Sequence, residues 1–530
     1  MEYVIKKYGN NNCSQVSTLN IRHAKSSIRD SARALGYPTK IGDSIANAIK
    51  TTSYDDDGEK LMNPDIIASL DAFPEFAKKI DDYEDVINLA IDLENIPFAT
   101  GLHAAGVIIS PKDLTGIVPL IKSNKREMLA TSLALDDAER LLVKFDYLGL
   151  SSLQTISVTE KIIGKKFDYT DSSLYEDKKV WEMIGAGNTV GVFQISSKTY
   201  RNRLPRIKPK NMNDLANCLA LIRGSCIQEG TDETYMRILE GKENVKKVHP
   251  IFDEITKDTL GIIVYQEQVM NLAVGYGMTL SQGYDIVKKG AKKDKGALQK
   301  YRNEFVSCAI KKGVSNKLAN QMFDLIEASS AYSFNRSHAV SYGMITYAEA
   351  YLKANYPLEY MSSFMTYLYT KNNTAPAEFN EAIKECIRLG IKFLKPDINK
   401  SSREFTVENG MMRIGLCAVK GIGEKALNSV FESRPFSSME DIFERIDKRT
   451  FSKTAFSVAI FSGMLDEIES GTRKSMYEKY MILRKEKKMP EEIKVNGKFM
   501  SLDAPRKNIE KNILSGNYKI EKDKKKEEAA

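Results

Sequence analysis

The chain of 530 residues has few of the residues that build metal centres or disulfide frameworks. It contains four histidines and six cysteines, and no two cysteines form a Cys-x-x-Cys pair. This scarcity argues against a zinc site and predicts reduced, structural thiols. No window approaches the about 18 uninterrupted apolar residues of a membrane helix, and the charged start MEYVIKKYGNNN lacks the apolar stretch of a signal peptide. The sequence therefore predicts a cytoplasmic protein with no membrane partner.

A strong charge of one sign is also lacking. The 78 basic and 70 acidic residues leave a formal charge of +8, which is only a weak indication of a polyanionic partner. Two local clusters are more basic, KTYRNRLPRIKPK (198–210) and KKGAKKDK (288–295). Such segments bind phosphate groups, but they also occur as ordinary solvated surface, so both interpretations stay open.

Hydrophobic periodicity divides the chain into several segments, as its length predicts. Residues 1–100 have a mostly helical pattern, and from 101 to 152 short β-rich runs bounded by glycine and proline predict a sheet. The chain is then helix-rich to about residue 400. Its strongest helical patterns lie around 211–223, 263–275, 297–310, 315–329 and 339–354. After about 469 it becomes rich in Lys and Glu and poor in apolar residues, which predicts a partly disordered tail.

The run RLLVKFDYLG is predicted to be a strand that brings a lysine and a carboxylate together. The period-two rule places Leu142, Lys144 and Asp146 on one face, and Gly149 ends the run before a helix that begins near Ser151. A lysine beside an aspartate at a strand end is a surface ion pair more often than a catalytic pair, and the residues alone leave both interpretations open.

The run IGLCAVKGIGEKAL (414–427) is typical of a helix-hairpin-helix motif. Gly421 and Gly423 form a tight turn between two apolar segments, and glycine lets the backbone come close to a phosphate. A second element of this kind, FSKTAFSVAIFSGMLDEI (451–468), turns at Ser462 and Gly463.

Several runs in colinear order resemble the bacterial C-family replicative polymerase, the DNA polymerase III alpha subunit. They are FATGLHAAGVIIS, LLVKFDYLGLSSLQTI, GVFQISSKTYRNRL, GIIVYQEQVM, AYSFNRSHAVSYGMITYAEAYLKANYP and IGLCAVKGIGEKAL. The resemblance covers residues 1 to about 467. It implies an α+β, predominantly helical fold with a partial polymerase-beta-like palm, a helical thumb, helical fingers and a helix-hairpin-helix module. The expected segments are palm 1–20, thumb 21–100, palm sheet 101–152, fingers 153–400, helix-hairpin-helix 401–468 and charged tail 469–530.

The family's reaction is nucleotidyl transfer, in which two Mg²⁺ ions held by three aspartates assist attack of the primer hydroxyl on a deoxynucleoside triphosphate. The resemblance makes Asp146 the third metal-binding aspartate and Lys144 a lysine close to the triphosphate. Lys288 and Lys289 occupy positions where the family commonly has two arginines that bind the triphosphate. Because lysine lacks the bidentate geometry of arginine, weaker or less geometrically selective binding of the triphosphate is expected. The other residues expected to bind nucleotide are Tyr332, Asn335, Arg336 and His338, and those expected to bind DNA are Arg201, Arg203, Lys420, Gly421, Gly423 and Lys425. Outside this context, His338 would be read as a structural histidine.

The sequence departs from the family in two places. The other two metal-binding aspartates form an Asp-x-Asp pair just upstream of the segment that matches MEYVIKKYG, and the 530 residues do not include that pair. The run LIRGSCIQEG (221–230) keeps Arg223 but has Gly224, Ser225 and Cys226 where the family shows an Arg-Pro-Gly turn. The magnesium site is therefore expected to be incomplete in this chain, which should be inactive alone.

Three hypotheses follow from these observations. The first is a split polymerase that binds primer-template DNA and deoxynucleoside triphosphates, with a second chain supplying the Asp-x-Asp pair. The second is an inactive, polymerase-derived DNA-binding protein, and the third is a truncated product without a stable fold. The segment NGKFMSLD (496–503) faintly resembles a sliding-clamp peptide, which makes a clamp a further candidate partner.

Overall fold

The computed structural model describes residues 2–484 except 50–51, 55–59, 63–64, 80–81, 123–127, 148, 292–294, 372–375 and 448, together with 492–495 and 498–501. These residues form two compact units, Met1–Gly149 and Leu150–Ala530. The division comes directly after the strand that carries Lys144 and Asp146.

The first unit combines a mixed sheet with a group of helices. Its strands are β1 (Cys13–Ile21), β2 (Thr52–Tyr54), β3 (Lys60–Met62), β4 (Pro97–Ile109), β5 (Leu120–Ile121), β6 (Ala130–Ala134) and β7 (Lys144–Asp146). Its helices are α1 (Glu2–Tyr8), α2 (Ala24–Ala34), α3 (Thr39–Ala48), α4 (Ile66–Ala72), α5 (Pro74–Ala77), α6 (Glu84–Leu93) and α7 (Leu135–Leu141). Helices α2 to α6 enclose an apolar core of their own, in which Ile28, Ile45 and Phe76 are fully buried.

The main sheet has the strand order β5-β6-β1-β4-β7. The pair β1 and β6 is parallel, and the other neighbours are antiparallel. Buried Val16 and Ile108 pack on one side of the sheet with Leu114 and Val118. The long β4 is the partner of both β1 and β7, so it fixes the position of β7 at the edge of the sheet.

The second unit is almost entirely helical up to about residue 390. Its first helices are α8 (Ser151–Ile163), α9 (Lys178–Gly185), α10 (Lys198–Ile207), α11 (Met212–Leu221), α12 (Gly224–Gln228), α13 (Thr231–Leu239), α14 (Pro250–Ile255) and α15 (Gln266–Gly275). They are followed by α16 (Leu280–Ala291), α17 (Lys295–Lys311), α18 (Asn316–Ser330), α19 (Arg336–Asn355), α20 (Pro357–Thr370) and α21 (Pro376–Arg388). The helix α19 runs through two cores: Tyr347 and Ala350 lie in one, and Ala348 and Leu352 in the other.

A C-terminal module completes the second unit. It begins with the three-stranded sheet β8 (Phe393–Leu394), β9 (Thr406–Glu408) and β10 (Met411–Arg413), and continues with α22 (Glu424–Ser433), α23 (Met439–Arg445), α24 (Lys453–Ser462) and α25 (Arg473–Leu483). Residues of all four helices form one apolar core, in which the rings of Phe456 and Tyr480 stack 4.2 Å apart. Two strands follow, β11 (Glu492–Val495) and β12 (Lys498–Ser501).

Several expectations from the sequence are confirmed. The fold is α+β and predominantly helical, each of the five strongest helical patterns coincides with a helix, and all six cysteines are free thiols. None of the described helices combines the length and the hydropathy that a membrane-spanning helix requires. Within the predicted charged tail 469–530, the helix α25 packs in the core of the C-terminal module. Most of the tail after 484, and half of the clamp-like segment 496–503, lies outside the described residues.

Candidate functional site

The edge strand β7 brings Lys144 and Asp146 together. It pairs antiparallel with β4, placing Asp146 opposite Gly106 and Lys144 opposite Ile108. The Lys144 Nζ atom lies 3.0 Å from Asp146 Oδ2 and 3.2 Å from Oδ1. The Lys144 side chain is 16% exposed and that of Asp146 is 52% exposed, so the carboxylate is accessible to a ligand while the lysine stem is covered.

His103 on β4 is a neighbour that the sequence reasoning missed. Its Nδ1 atom accepts hydrogen bonds from the backbone N–H groups of Gly106 (2.7 Å) and Ala105 (3.3 Å), and it lies 3.9 Å from Asp146 Oδ1. A Cβ atom at Gly106 would lie 2.8 Å from His103 Nδ1 and 3.1 Å from Lys144 Cδ, so a glycine is needed for this close packing. The one available signal was the position of His103 in GLHAAG, three residues before Gly106.

These residues do not by themselves fit a two-metal site. Across the part of the chain that the structure describes, no group of three or more His, Cys, Asp and Glu side chains could hold a metal ion. The Nδ1 lone pair of His103 is already used by two backbone donors, and Asp146 is paired with Lys144. Magnesium prefers several oxygen ligands in octahedral geometry, and Asp146 supplies only one carboxylate.

In the second unit, the loop before α19 places four of the predicted residues on one short segment. Asn335 is the N-cap of α19, because its side chain accepts a hydrogen bond from the backbone N–H of His338 at 2.7 Å. The loop is anchored through Phe334, whose backbone N–H donates to Val264 and whose carbonyl accepts from Gln266. The sequence block SFNRSH therefore encodes a helix start that is held against the α15 segment.

Two carboxylates neutralise the start of α19. Glu267 accepts hydrogen bonds from the backbone N–H of Arg336 at 2.9 and 3.0 Å and from the Asn335 amide at 3.2 Å. Asp258 lies 3.2 Å from an Arg336 guanidinium nitrogen, and the same guanidinium lies over the Tyr265 ring. A carboxylate at a helix N-terminus is stabilised by the free N–H groups and by the helix dipole. An incoming phosphate would meet Arg336 in an environment that already contains acidic groups.

Arg223 links the departure at 224–226 to this loop. Its guanidinium donates to the carbonyls of Ala220 (2.8 Å) and Tyr332 (2.7 Å) and lies 4.2 Å from the centre of the Phe334 ring. It is also the N-cap residue of α12, and Cys226 in that helix is buried. The sequence Gly-Ser-Cys thus starts a short helix while Arg223 still reaches the loop.

The remaining predicted residues of this unit lie on other helices. Lys288 is exposed and Lys289 half-buried in the last turn of α16. On α10, Arg201 pairs with Glu381 at 2.8 Å, and Arg203 pairs with the buried Asp232 at 2.6 Å. The basic run 198–210 is therefore less available to phosphate than its composition indicates.

The helix-hairpin-helix turn has the glycine geometry that the sequence indicates. Gly421 has φ +104°, and a Cβ atom there would lie 2.9 Å from Val458 Cγ2 on α24. Gly423 is the N-cap residue of α22, and both Lys420 and Lys425 are exposed beside the turn. The second predicted turn is also present, because Gly463 has φ +86° directly after α24.

Comparison with known proteins identifies the family. Residues 1–149 match the family described as the bacterial DNA polymerase III alpha NTPase domain, 152–313 match the bacterial DNA polymerase III alpha subunit finger domain, and 390–476 match a helix-hairpin-helix motif. The chain belongs to the bacterial DNA polymerase III alpha subunit family. This assignment confirms the resemblance, and the matches follow one another in the order that the resemblance implies.

Relatives named DNA polymerase III subunit alpha match nearly the whole of this chain. The protein of Aquifex aeolicus (strain VF5) is 32% identical in a match of 494 aligned positions that covers 88% of this chain and 42% of the relative. The protein of Bacillus subtilis (strain 168) is 33% identical over 477 residues, 88% of this chain and 41% of the relative. The Thermus aquaticus protein is 31% identical over 485 residues, 88% of this chain and 38% of the relative. This DNA polymerase III alpha family member thus spans about two fifths of the length of the relatives it matches.

Proposed function

We propose that the chain is part of a DNA-directed DNA polymerase that transfers nucleotides to a primer in DNA replication. The observation that carries the proposal is the colinear match to the polymerase III alpha segments together with Lys144 and Asp146 on one face of an edge strand. Its substrates are primer-template DNA and deoxynucleoside triphosphates, and a replicative role would place it in the cytoplasm. A sliding clamp is a further proposed partner.

The residues of this chain have separate tasks in the proposal. Lys144 would bind the triphosphate beside Asp146, and its 3.0 Å contact with that carboxylate supports this role. In the second unit Lys288, Lys289 and Arg336 supply further charge for the triphosphate, because lysine and arginine are the usual phosphate-binding side chains. Tyr332, Asn335 and His338 would line the nascent base pair.

DNA would be bound chiefly by the helix-hairpin-helix module. The turn at Gly421 and Gly423 lets a phosphate approach the backbone, and Lys420 and Lys425 add exposed positive charge. Arg201 and Arg203 remain proposed DNA ligands, but a phosphate would have to compete with Glu381 and Asp232 for them.

Asp146 is the one carboxylate that we propose for the metal site. Magnesium is the expected ion because carboxylate oxygens are its preferred protein ligands. The other carboxylates would come from sequence outside these 530 residues, on the same polypeptide or on a second chain.

The second candidate function is a DNA-binding protein without polymerase activity. In this candidate the Lys144–Asp146 ion pair is an ordinary surface contact at the edge of the sheet and not part of a metal site. This candidate predicts DNA binding with a steep salt dependence and no primer extension with any added fragment.

Primer extension with Mg²⁺ and four deoxynucleotides separates the two functions. We would compare this chain, a polypeptide that carries the family's Asp-x-Asp pair, and their mixture. Asp146→Asn should abolish extension by the mixture, whereas the matched control Asp137→Asn, an exposed aspartate on α7 of the same unit, should retain it. Salt-sensitive DNA binding by a mixture that does not extend primers would favour the DNA-binding protein and withdraw the role of Asp146.

A further inference from the structure

A row of aromatic rings lies along the first turns of α19. The His338 and Tyr342 rings stack 4.1 Å apart with an interplanar angle of 33°. On the other side, Phe193 from the loop between α9 and α10 lies 5.5 Å from Tyr342, again at 33°. Phe334 meets the edge of His338 at 5.4 Å. His338 is exposed and the other three rings are half-buried, so the row reaches the surface of the unit.

The loop that supplies Phe193 is irregular but firmly held from inside α19. The Lys353 ammonium is 1% exposed and donates to the carbonyls of Asn188 (2.8 Å) and Val190 (2.7 Å). The Glu349 carboxyl is 2% exposed and accepts a hydrogen bond from the backbone N–H of Phe193 at 2.6 Å. Glu349 therefore holds the backbone of Phe193 directly, while Lys353, which is also paired with the buried Glu385 at 2.6 Å, holds the start of the same loop.

The backbone of the loop turns sharply beside Phe193. Gln194 has φ +63°, a left-handed conformation that costs free energy for any residue other than glycine, and its side chain is exposed. The next residue, Ile195, is fully buried, and its carbonyl accepts from the Thr189 hydroxyl at 2.6 Å. The strained Gln194 therefore lies between the buried Ile195 and Phe193, whose ring is next to that of Tyr342.

We propose that the row of Phe193, Tyr342 and His338 is a stacking surface for an unpaired nucleobase of the template strand. The proposal rests on the proposed function, because it requires that the chain bind DNA. Stacking on aromatic rings tolerates every base, since each base has a π face, and it is the usual way in which proteins hold single-stranded nucleic acid. The Arg223 guanidinium, which donates to two backbone carbonyls and lies 4.2 Å from the Phe334 ring, supplies positive charge beside the row, whereas Arg336 is already paired with Asp258. The proposal thus gives a role in DNA binding to Phe193 and Tyr342, which lie outside the SFNRSH block.

The test uses the full 530-residue chain and a primer-template whose single-stranded template overhang carries 2-aminopurine at successive positions. Stacking quenches this base, so a bound overhang should lose fluorescence at one position. Phe193→Leu keeps an apolar side chain but removes the ring. It should abolish the quenching and weaken binding of the overhang about fivefold or more. The control Phe167→Leu removes a half-buried ring from another aromatic cluster of the same unit and should leave the quenching unchanged.

The outcomes distinguish this inference from the proposed function. Full quenching in Phe193→Leu, with DNA binding intact, would overturn the stacking surface and leave the polymerase assignment standing. Absence of DNA binding by the unaltered chain, both alone and mixed with the polypeptide that carries the Asp-x-Asp pair, would overturn both. If Phe193→Leu does not fold, as read by the fluorescence of Trp181, His338→Leu tests the same surface at an exposed position and should give the same loss.

Discussion

Glu349 offers a sharp test of the buried network that supports α19 and the loop before α10. Burial raises the pKa of its carboxyl from 4.5 to about 7. The groups that face it are the Phe193 backbone N–H (2.6 Å), the Tyr360 hydroxyl (3.1 Å) and the Ser152 side chain. The same Tyr360 hydroxyl lies 2.8 Å from the carbonyl of Gly191. Because a hydroxyl has one proton, both of its contacts are hydrogen bonds only when Glu349 itself carries a proton.

The raised pKa of Glu349 determines the size and the sign of its contribution to the pH dependence of folding stability. The folded protein holds the Glu349 proton more tightly than the unfolded chain does. Its contribution to stability is therefore fully present below the ordinary value of 4.5 and is lost as the pH rises through about 7. The separation of the two pKa values corresponds to about 3 kcal/mol of unfolding free energy. Glu349→Gln keeps a neutral side chain of the same shape. Its stability relative to the unaltered protein should rise by up to about 3 kcal/mol between about pH 4.5 and about pH 8.

Urea denaturation followed by Trp181 fluorescence measures this difference. Trp181 is the one tryptophan in the sequence, and its ring lies 4.9 Å from Tyr347 on α19, so it reports on the part of the molecule that contains Glu349. Glu233→Gln is the control: hydrogen bonds from Arg206 lower the pKa of Glu233, so its carboxylate stays ionised and its effect should be constant over this range. Parallel stability curves for the unaltered protein and Glu349→Gln would refute the reasoning.

Three further outcomes are expected. Gly421→Ala should destabilise the C-terminal module by about 1–2 kcal/mol in thermal unfolding, because the residue has φ +104° and its Cβ would lie 2.9 Å from Val458 Cγ2. Lys425→Ala should weaken DNA binding and reduce the salt slope of the affinity by about 1; an unchanged slope would remove it from the contact. Arg203→Ala should cost about 3 kcal/mol in urea unfolding, because it leaves the buried carboxylate of Asp232 unpaired; a cost below about 1 kcal/mol would contradict this.

The sequence predicted those parts of the fold that depend on local patterns. Apolar residues at helical spacing located α11, α15, α17, α18 and α19, because each of these helices packs apolar residues in the core of the second unit. The strand Cys13–Ile21 was not identified by its pattern. Its first half is buried on both faces and its second half becomes exposed, so it lacks a simple alternation. Phe145 on the opposite face of β7 and Val143 just before the strand are 44% and 66% exposed, so the apolar residues there do not belong to a core.

In the candidate sites, too, local patterns predicted some contacts and not others. Lys144 and Asp146 are two residues apart, so the period-two rule was enough to place them on one face. The contacts of Glu267 with Arg336, and of Glu349 with Phe193, join residues 69 and 156 positions apart. Contacts between such distant residues depend on tertiary packing, and no local pattern in a single sequence could have predicted them.

The ion pairs also decide which basic residues can serve as probes of DNA binding. Removing Arg203 leaves the buried carboxylate of Asp232 without its ion-pair partner, which destabilises the fold. A loss of DNA affinity in that variant could therefore come from a folding defect or from a lost phosphate contact. Lys420 and Lys425 lie exposed at the hairpin turn, where truncation removes charge with little effect on the core. A salt-dependent loss of affinity in these two variants would therefore report on phosphate binding itself. Equal losses in Arg201→Ala would then show that a phosphate displaces Glu381 from its 2.8 Å contact.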